Sequence, residues 1–563
     1  METITLSVCS LNQWALDFKG NLERIKQSII KAKEAGAAYR LGPELEVTGY
    51  GCNDHFYEND TYLHSWEVLA ELLKAEDCKD IICDVGMPVM FKNVRYNCRI
   101  IFYNQKILLI RPKMFLANDG NYREMRWFTA WTKTRGHDIL ILPDVIADII
   151  GQEEAPFGDC VIASKDTVIG TETCEELWTS QSPHIAMALD GVEIFTNGSG
   201  SHHEFGKLHV RVDLMKNATA KCGGVYLYSN QHGCDGERVY YDGSALIIVN
   251  GEVVAQGRQF FLEDVEVVTA TIDLGRVRSF RSIASRGIQA SASDSYHRIR
   301  THTKLSKFDL TCYETPALKS IKYHTPSEEI RFGPACWLWD YLRRSKTNGY
   351  FLPLSGGIDS CSTALIVYSM CQIVCETIES GDIQVLRDVQ AVVGEADYVP
   401  KDAKDLCNRI LHTSYMGTVN SSHETRDRAA RLARDIGSYH VNLNMDSVVS
   451  AIIGVFQTVT GKTPRFKLNG GSVAENLALQ NIQARSRMVL SYLFAQLLPW
   501  CRSKQGALLV LGSANVDETL RGYFTKYDCA SADVNPIGGI SKKDLKGFVQ
   551  HSCTALDLPI LDE

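Results

Sequence analysis

An apolar run at residues 350–354 breaks into Ser355-Gly356-Gly357-Ile358-Asp359-Ser360, and a helical apolar pattern follows to residue 375. A strand that feeds a glycine-rich turn and then a helix presents backbone N–H groups at the positive end of the helix dipole. Glycine permits the tight turn and the close approach of an anion. A phosphate is therefore expected on this loop. The loop has no Gly-Lys-Ser/Thr, so it is not a Walker-type site. It also lacks the Gly-x-Ser-x-Gly spacing of a hydrolase elbow. Asp359 stands at the start of the following helix, where such acids favour the cap.

The 563 residues are enough for two or more domains. Up to about residue 285, short β-rich runs at 3–8, 80–85, 99–103, 106–110, 192–196, 224–228, 245–249 and 265–272 alternate with amphipathic helices such as 21–35. Hairpin-like pairs around Tyr103-Asn104-Gln105 and Val249-Asn250-Gly251-Glu252 make at least part of that sheet antiparallel. Residues 290–325 carry Pro316 among polar residues and read as a linker. From 326 on, strands and crossover helices alternate as a parallel sheet requires. The division read from the sequence is thus 1–289, linker 290–325, and 326–563.

With 67 acidic against 59 basic residues, the chain lacks the basic excess of a general nucleic-acid binder. Its 18 cysteines show no CxxC pair or zinc spacing and are expected as reduced thiols without a structural metal. The N-terminus does not follow the order of a signal peptide. The longest apolar segment, 488–500, is too short to span a bilayer. A cytoplasmic protein without a membrane anchor is expected.

Three segments of the first half each place a reactive residue type after a β-like run: Gly42-Pro43-Glu44-Leu45, Arg111-Pro112-Lys113-Met114, and Thr173-Cys174-Glu175-Glu176-Leu177-Trp178. In this order Glu, Lys and Cys resemble the nitrilase (carbon-nitrogen hydrolase) superfamily over residues 1–285. The resemblance implies an α-β-β-α sandwich that hydrolyses an amide through a thioester. That chemistry needs a thiol nucleophile, a base and a cation for the oxyanion. Cys174 would be the nucleophile, Glu44 the base and Lys113 the cation, which would also lower the thiol pKa. The resemblance sets Tyr122, Ser201 and Lys207 around a bound glutamine, with Glu176 and Trp178 shaping the same pocket. His202 and His203 read as polar loop residues rather than metal ligands.

The loop 355–360 resembles that of the ATP pyrophosphatases, a Rossmann-like adenine-nucleotide α-hydrolase fold in which ATP is split between its α and β phosphates. Asn481 and Arg485 in Asn481-Ile-Gln-Ala-Arg485-Ser-Arg487 share one helical face at i, i+4. Gly512-Ser513-Ala-Asn-Val-Asp-Glu518, Gly522-Tyr-Phe-Thr525-Lys526-Tyr-Asp528 and Ala532-Asp533-Val-Asn-Pro536 follow. This succession resembles the glutamine-dependent NAD synthetases of eukaryotic type along nearly the whole chain. It implies ATP on Ser355, Gly356, Gly357, Ile358, Asp359, Ser360 and Ser513. It places Mg²⁺ between Asp359 and Glu518, and deamido-NAD (nicotinate adenine dinucleotide) on Asn481, Arg485, Glu518, Lys526 and Asp528.

The implied reaction amidates deamido-NAD with ammonia from glutamine through an acyl adenylate, in a large homo-oligomer, with an internal ammonia tunnel. Members of the family continue well past Glu563, so the second half is expected to lack a closing segment. Two alternatives stay open: an amidase whose second half is catalytically incompetent, and a non-catalytic regulatory subunit.

Overall fold

A computed structural model describes residues 2–236, 239–282, 284–308, 313–419 and 421–562. The chain forms two units, Met1–Phe260 with Asp264–Tyr323, and Phe261–Glu263 with His324–Glu563.

The first unit holds two sheets. One runs in the order Lys106–Pro112, Val94–Tyr103, Ile82–Phe91, Tyr39–Leu41, Glu2–Leu11, Val265–Asp273. The other runs Val161–Ala163, Val168–Thr173, Ile194–Ser199, Val225–Gly233, Leu246–Val249, Glu252–Gln256. Leu6, Tyr39 and Ile82 of the first sheet share one apolar core with Ile169, Leu227 and Ile247 of the second. Helices Phe18–Glu34 and Asn59–Lys74 cover the outer face of the first sheet. Helices Pro183–Leu189 and Lys207–Ala220 cover the outer face of the second. The result is an α-β-β-α sandwich.

Burial on both faces explains why the central strands read as continuous apolar runs. In Glu2–Leu11, Leu6 and Val8 face the inner core while Cys9 and Leu11 face the helices. The hairpins expected at 103–105 and 249–252 are present as antiparallel pairs.

The stretch read as a linker is corrected by the structure. Arg298–Arg300 pairs with Val161–Ala163, and Lys307–Phe308 pairs with Glu2–Leu11. Both strands therefore belong to the first unit, and the boundary falls between Tyr323 and His324. Their side chains are partly or fully exposed, so the segment carries the polar composition of a loop although its backbone is paired.

The second unit is built on a parallel sheet in the order Tyr439–Asn444, Leu411–Gly417, Tyr350–Pro353, Leu509–Val510. In chain order these are the third, second, first and fourth strands. The direction of winding reverses between the first and fourth, the place where open α/β sheets leave a crevice for ligands. Helix Ile358–Glu379 is long and apolar enough to cross a membrane, but 67% of its apolar window is buried inside the fold, as in a core helix.

Candidate active sites

Each reactive group of the first unit stands at the end of a strand. Glu44 follows Tyr39–Leu41 on a turn held by Arg99, whose guanidinium donates to the carbonyls of Pro43 at 2.6 Å and Gly42 at 2.8 Å. Lys113 follows Lys106–Pro112, its N–H donating to the Asn97 carbonyl at 2.8 Å. Cys174 ends Val168–Thr173 and opens a tight helical turn, Cys174–Leu177, with φ at +43°.

The structure brings these three residues together and adds a fourth. Lys113 Nζ donates to Glu44 Oε1 at 2.6 Å and to Glu124 Oε1 at 2.8 Å. Tyr50 also donates to Glu124 Oε1, at 2.5 Å. The other Glu44 oxygen accepts the Gly200 N–H at 3.0 Å. A Cβ at Gly200 would stand 2.6 Å from the Tyr50 ring, so only glycine allows that approach. Glu124 escaped the sequence reading although it closes the run Gly120-Asn121-Tyr122-Arg123-Glu124. A second acid eleven residues after the lysine was the available signal.

Burial dominates the electrostatics, since Glu44, Lys113, Glu124 and Cys174 are at most 4% exposed. Burial works against the Lys113 ammonium, but Glu124 and Glu44 outweigh it and hold the group protonated. Burial raises Glu124 to about 7, and Lys113 keeps it from rising further. Lys113 does lower the thiol pKa, as expected, but burial and Glu44 outweigh it. Burial pushes Cys174 up to about 12, and the charge of Glu44 adds to that shift more than Lys113 takes away. Cys174 therefore rests as a neutral thiol.

Tyr122 donates to the Gly200 carbonyl at 3.3 Å and accepts the His202 N–H at 3.1 Å. Lys207 Nζ lies 5.7 Å from the Tyr122 ring centre and 5.9 Å from that of Trp178. The Ser201 N–H donates to Asn230 at 2.8 Å. Tyr122 and His202 also line a cavity of about 320 Å³ with Tyr50, Trp127 and Tyr241.

Glu176 is placed differently from the sequence expectation. Its carboxylate accepts from Arg111 at 2.5 Å, from the Met114 N–H at 2.5 Å and from the Thr173 N–H at 2.7 Å, with no exposed surface. It ties the cysteine turn to the lysine strand. The neighbouring Glu175 is only half-buried; burial raises its carboxyl, and Lys113 and Lys207 pull it back. Glu175 is an acid in the field of both lysines.

In the second unit, loop 355–360 follows Tyr350–Pro353 at the winding reversal. Ser360 Oγ sits 2.9 Å from Ser355 Oγ and donates to the Gly357 carbonyl at 3.1 Å. Gly356 has φ +77°, and a Cβ there would stand 2.2 Å from the Thr425 carbonyl oxygen. Across the crevice, Asn515 Nδ2 donates to Asp359 Oδ1 at 2.8 Å, and Lys542 Nζ donates to Asp359 Oδ2 at 3.2 Å. The sequence reading missed both residues, because only folding carries them to the loop. Burial and the charge of Asp359 raise the carboxyl of Glu518, so the two acids share one field. Ser513 is partly exposed on the segment after Leu509–Val510. A further cavity of about 370 Å³ lies among Tyr415, Thr418, Ser422, Arg426 and Asn442, at the ends of the adjacent strands.

Asn481 and Arg485 do meet the 522–528 segment. Thr525 Oγ1 donates to Asn481 Oδ1 at 2.9 Å, and Arg485 Nε donates to the Lys526 carbonyl at 3.0 Å. Lys526 Nζ stands over the Tyr527 ring. Asp528 spends its oxygens on the Thr525 and Ala530 N–H groups, at 2.9 and 2.8 Å, and so shapes the turn. Arg487 lies apart and donates to the Met416 carbonyl.

Residues 5–282 match the carbon-nitrogen hydrolase family and residues 334–556 the NAD synthase family. The chain is 59% identical to the glutamine-dependent NAD(+) synthetase of Bos taurus, over 99% of this chain and 79% of that protein. It is 60% identical to that of Saccharomyces cerevisiae, over 100% of this chain and 80% of the relative. The fold resembles the crystal structure of a glutamine-dependent NAD(+) synthetase from Cytophaga hutchinsonii, with TM-score 0.79 and 24% identity, covering 100% of this chain and 83% of that one.

Proposed function

Because this chain belongs to the glutamine-dependent NAD(+) synthetases, we propose a division of its reaction between the two sites described above. The protein amidates deamido-NAD to NAD, using ATP and ammonia drawn from glutamine. The observation that carries the first step is the lysine shared between Glu44 and Glu124 beside a neutral, buried thiol.

Glutamine binds with its α-amino and α-carboxyl groups between Glu175, Lys207, Tyr122, Trp178 and Ser201. Glu44 takes the Cys174 proton as the sulfur attacks the carboxamide carbon, and Lys113 holds the oxyanion that forms. The proton passes to the leaving nitrogen, so the C–N bond breaks and ammonia departs. Glu44 then removes a proton from water, which cleaves the thioester and returns the thiol. Glu124 keeps Lys113 oriented and charged.

In the second unit, the phosphates of ATP lie on loop 355–360 and beside Ser513, with the adenosine directed toward the cavity at Tyr415 and Arg426. The carboxylate of deamido-NAD attacks the α-phosphorus, releasing pyrophosphate, and ammonia then displaces AMP from the acyl adenylate. Asn481, Arg485 and Lys526 hold the dinucleotide, with Asp528 setting the turn that presents Lys526. Asp359 and Glu518, two acids in one field, are the carboxylates that would hold Mg²⁺, which supplies charge neutralisation to the phosphates when bound. Asn515 and Lys542 keep the Asp359 carboxylate oriented.

The protein works in the cytoplasm as a homo-oligomer. Supporting the latter, Val455 and Val459, one turn apart on helix Asp446–Thr460, are 67% and 80% exposed. A second copy of the chain covers that face, and sedimentation of a Val455→Asp/Val459→Asp variant should show smaller particles.

The division of labour is tested with Cys174→Ala, assayed for NAD formation with glutamine and separately with ammonium chloride. Loss with glutamine and retention with ammonium is expected. Synthesis from glutamine at an undiminished rate would sink the assignment.

A further inference from the structure

A polar chain of four buried side chains starts at the backbone of Cys174 and runs away from the glutamine pocket. The Cys174 N–H donates to Asn197 Oδ1 at 2.9 Å. Asn197 Nδ2 donates to the Tyr226 hydroxyl oxygen at 3.1 Å. Tyr226 in turn donates to Glu172 Oε1. Glu172 accepts the His184 N–H at 3.1 Å, and the His184 ring nitrogen Nδ1 lies 3.1 Å from its other oxygen. Asn197, Tyr226 and Glu172 have no exposed surface, and His184 is 7% exposed.

The direction of this chain is dictated by chemistry. Burial raises the Glu172 carboxyl, but His184 and Tyr226 outweigh it and hold the group below its ordinary value, so it is a carboxylate that can only accept. Tyr226 must therefore donate to it, which leaves the phenol oxygen to accept from Asn197 Nδ2. That fixes the amide with Oδ1 toward Cys174. A flipped amide would set Nδ2 against the Cys174 N–H, donor against donor. Cys174 meanwhile occupies a left-handed conformation at φ +43°, which is unfavourable for a non-glycine residue and persists only where its surroundings over-determine it.

We propose that Asn197 and Tyr226 are positioning residues for the glutaminase nucleophile, with Glu172 and His184 as the anchor that sets the polarity of the chain. This rests on the reading of Cys174 as nucleophile. The network fixes the elbow backbone and through it the line from the sulfur to the glutamine carbonyl. None of its four side chains is among those assigned to glutamine, so its loss acts on the rate and not on binding.

The test is Tyr226→Phe, which deletes only the hydroxyl that locks the amide. Glutamine hydrolysis should lose about 10–100-fold in kcat, the scale of a nucleophile misplaced by an ångström, while the glutamine KM moves less than about twofold. Alkylation of Cys174 by iodoacetamide should slow in parallel, and ammonium-driven NAD synthesis by the same preparation should hold. Asn197→Ala should repeat the pattern. An unchanged kcat in both variants, a rise in KM alone, or a parallel fall of the ammonium-driven rate would each overturn the proposal and leave the network a packing feature. Cys174→Ala separates the two readings. If that variant still hydrolyses glutamine, the nucleophile is misassigned; if it is inert while Tyr226→Phe is fully active, only the positioning role fails.

Discussion

Glu44 Oε1 lies 2.6 Å from Lys113 Nζ, and neither side chain has any exposed surface. A buried pair of this kind contributes little net stability, because desolvation offsets the attraction. In the proposed reaction its value is chemical: the base is held against the cation assigned to the oxyanion, and both act on the same thiol.

Glu124 supplies a pH signature. Its folded pKa of about 7 stands above the ordinary 4.5, so its contribution to stability is full below 4.5 and is lost as pH rises through 7. Its ionisation also completes the charge that orients Lys113. Glutamine hydrolysis should therefore rise through a limb centred near pH 7. Glu124→Gln should lack that limb, while the ammonium-driven reaction keeps the wild-type profile. A limb that survives the substitution would assign it elsewhere.

Glu44→Gln should separate reactivity from catalysis. The Glu44 charge raises the thiol, which reaches about 12. Removing it should move the pH profile of Cys174 alkylation downward while glutamine hydrolysis falls by about 10²–10⁴ for want of a base. Stopped alkylation assays across pH check the first effect and steady-state kinetics the second.

The adjacent acids Glu175 and Glu176 should respond oppositely. Glu176→Ala leaves the Arg111 guanidinium without its closest partner inside the fold, a loss of about 3–5 kcal/mol for a broken buried pair. Glu175→Gln should leave stability within about 0.5 kcal/mol. It should raise the glutamine KM by about 10–100-fold, the value of one charge-assisted hydrogen bond. Denaturant titration and glutaminase kinetics read the two outcomes; the reverse pattern would return the ligand role to Glu176.

Lys542→Met removes the cation 3.2 Å from Asp359. The ammonium-driven reaction should lose about tenfold or more in kcat/KM for ATP, as expected when the charge-assisted contact that orients Asp359 disappears. Glutamine hydrolysis should be unaffected. Equal ATP kinetics in variant and wild type would remove Lys542 from the site.

Glu44, Lys113 and Cys174 could be singled out in the sequence because their order resembles that of a known family, and loop 355–360 because strand, glycines and helix are contiguous. A layered α/β first half and a parallel sheet in the second were legible because period and turn chemistry act over a few residues, and the resemblance to the carbon-nitrogen hydrolases added the sandwich. Tertiary structure decided what depends on contact through space. It brought Glu124 to Lys113, and Asn515 and Lys542 to Asp359, and it paired Arg298–Arg300 and Lys307–Phe308 into the first unit. It chose between Glu175 and Glu176, since neighbouring side chains on a tight helical turn diverge by roughly 120° and only the packed turn shows which one faces Arg111. It also set the charge state of Cys174. A sequence names a cysteine, but whether it rests as thiol or thiolate is the sum of burial and neighbouring charges, and here burial with Glu44 outweighs Lys113.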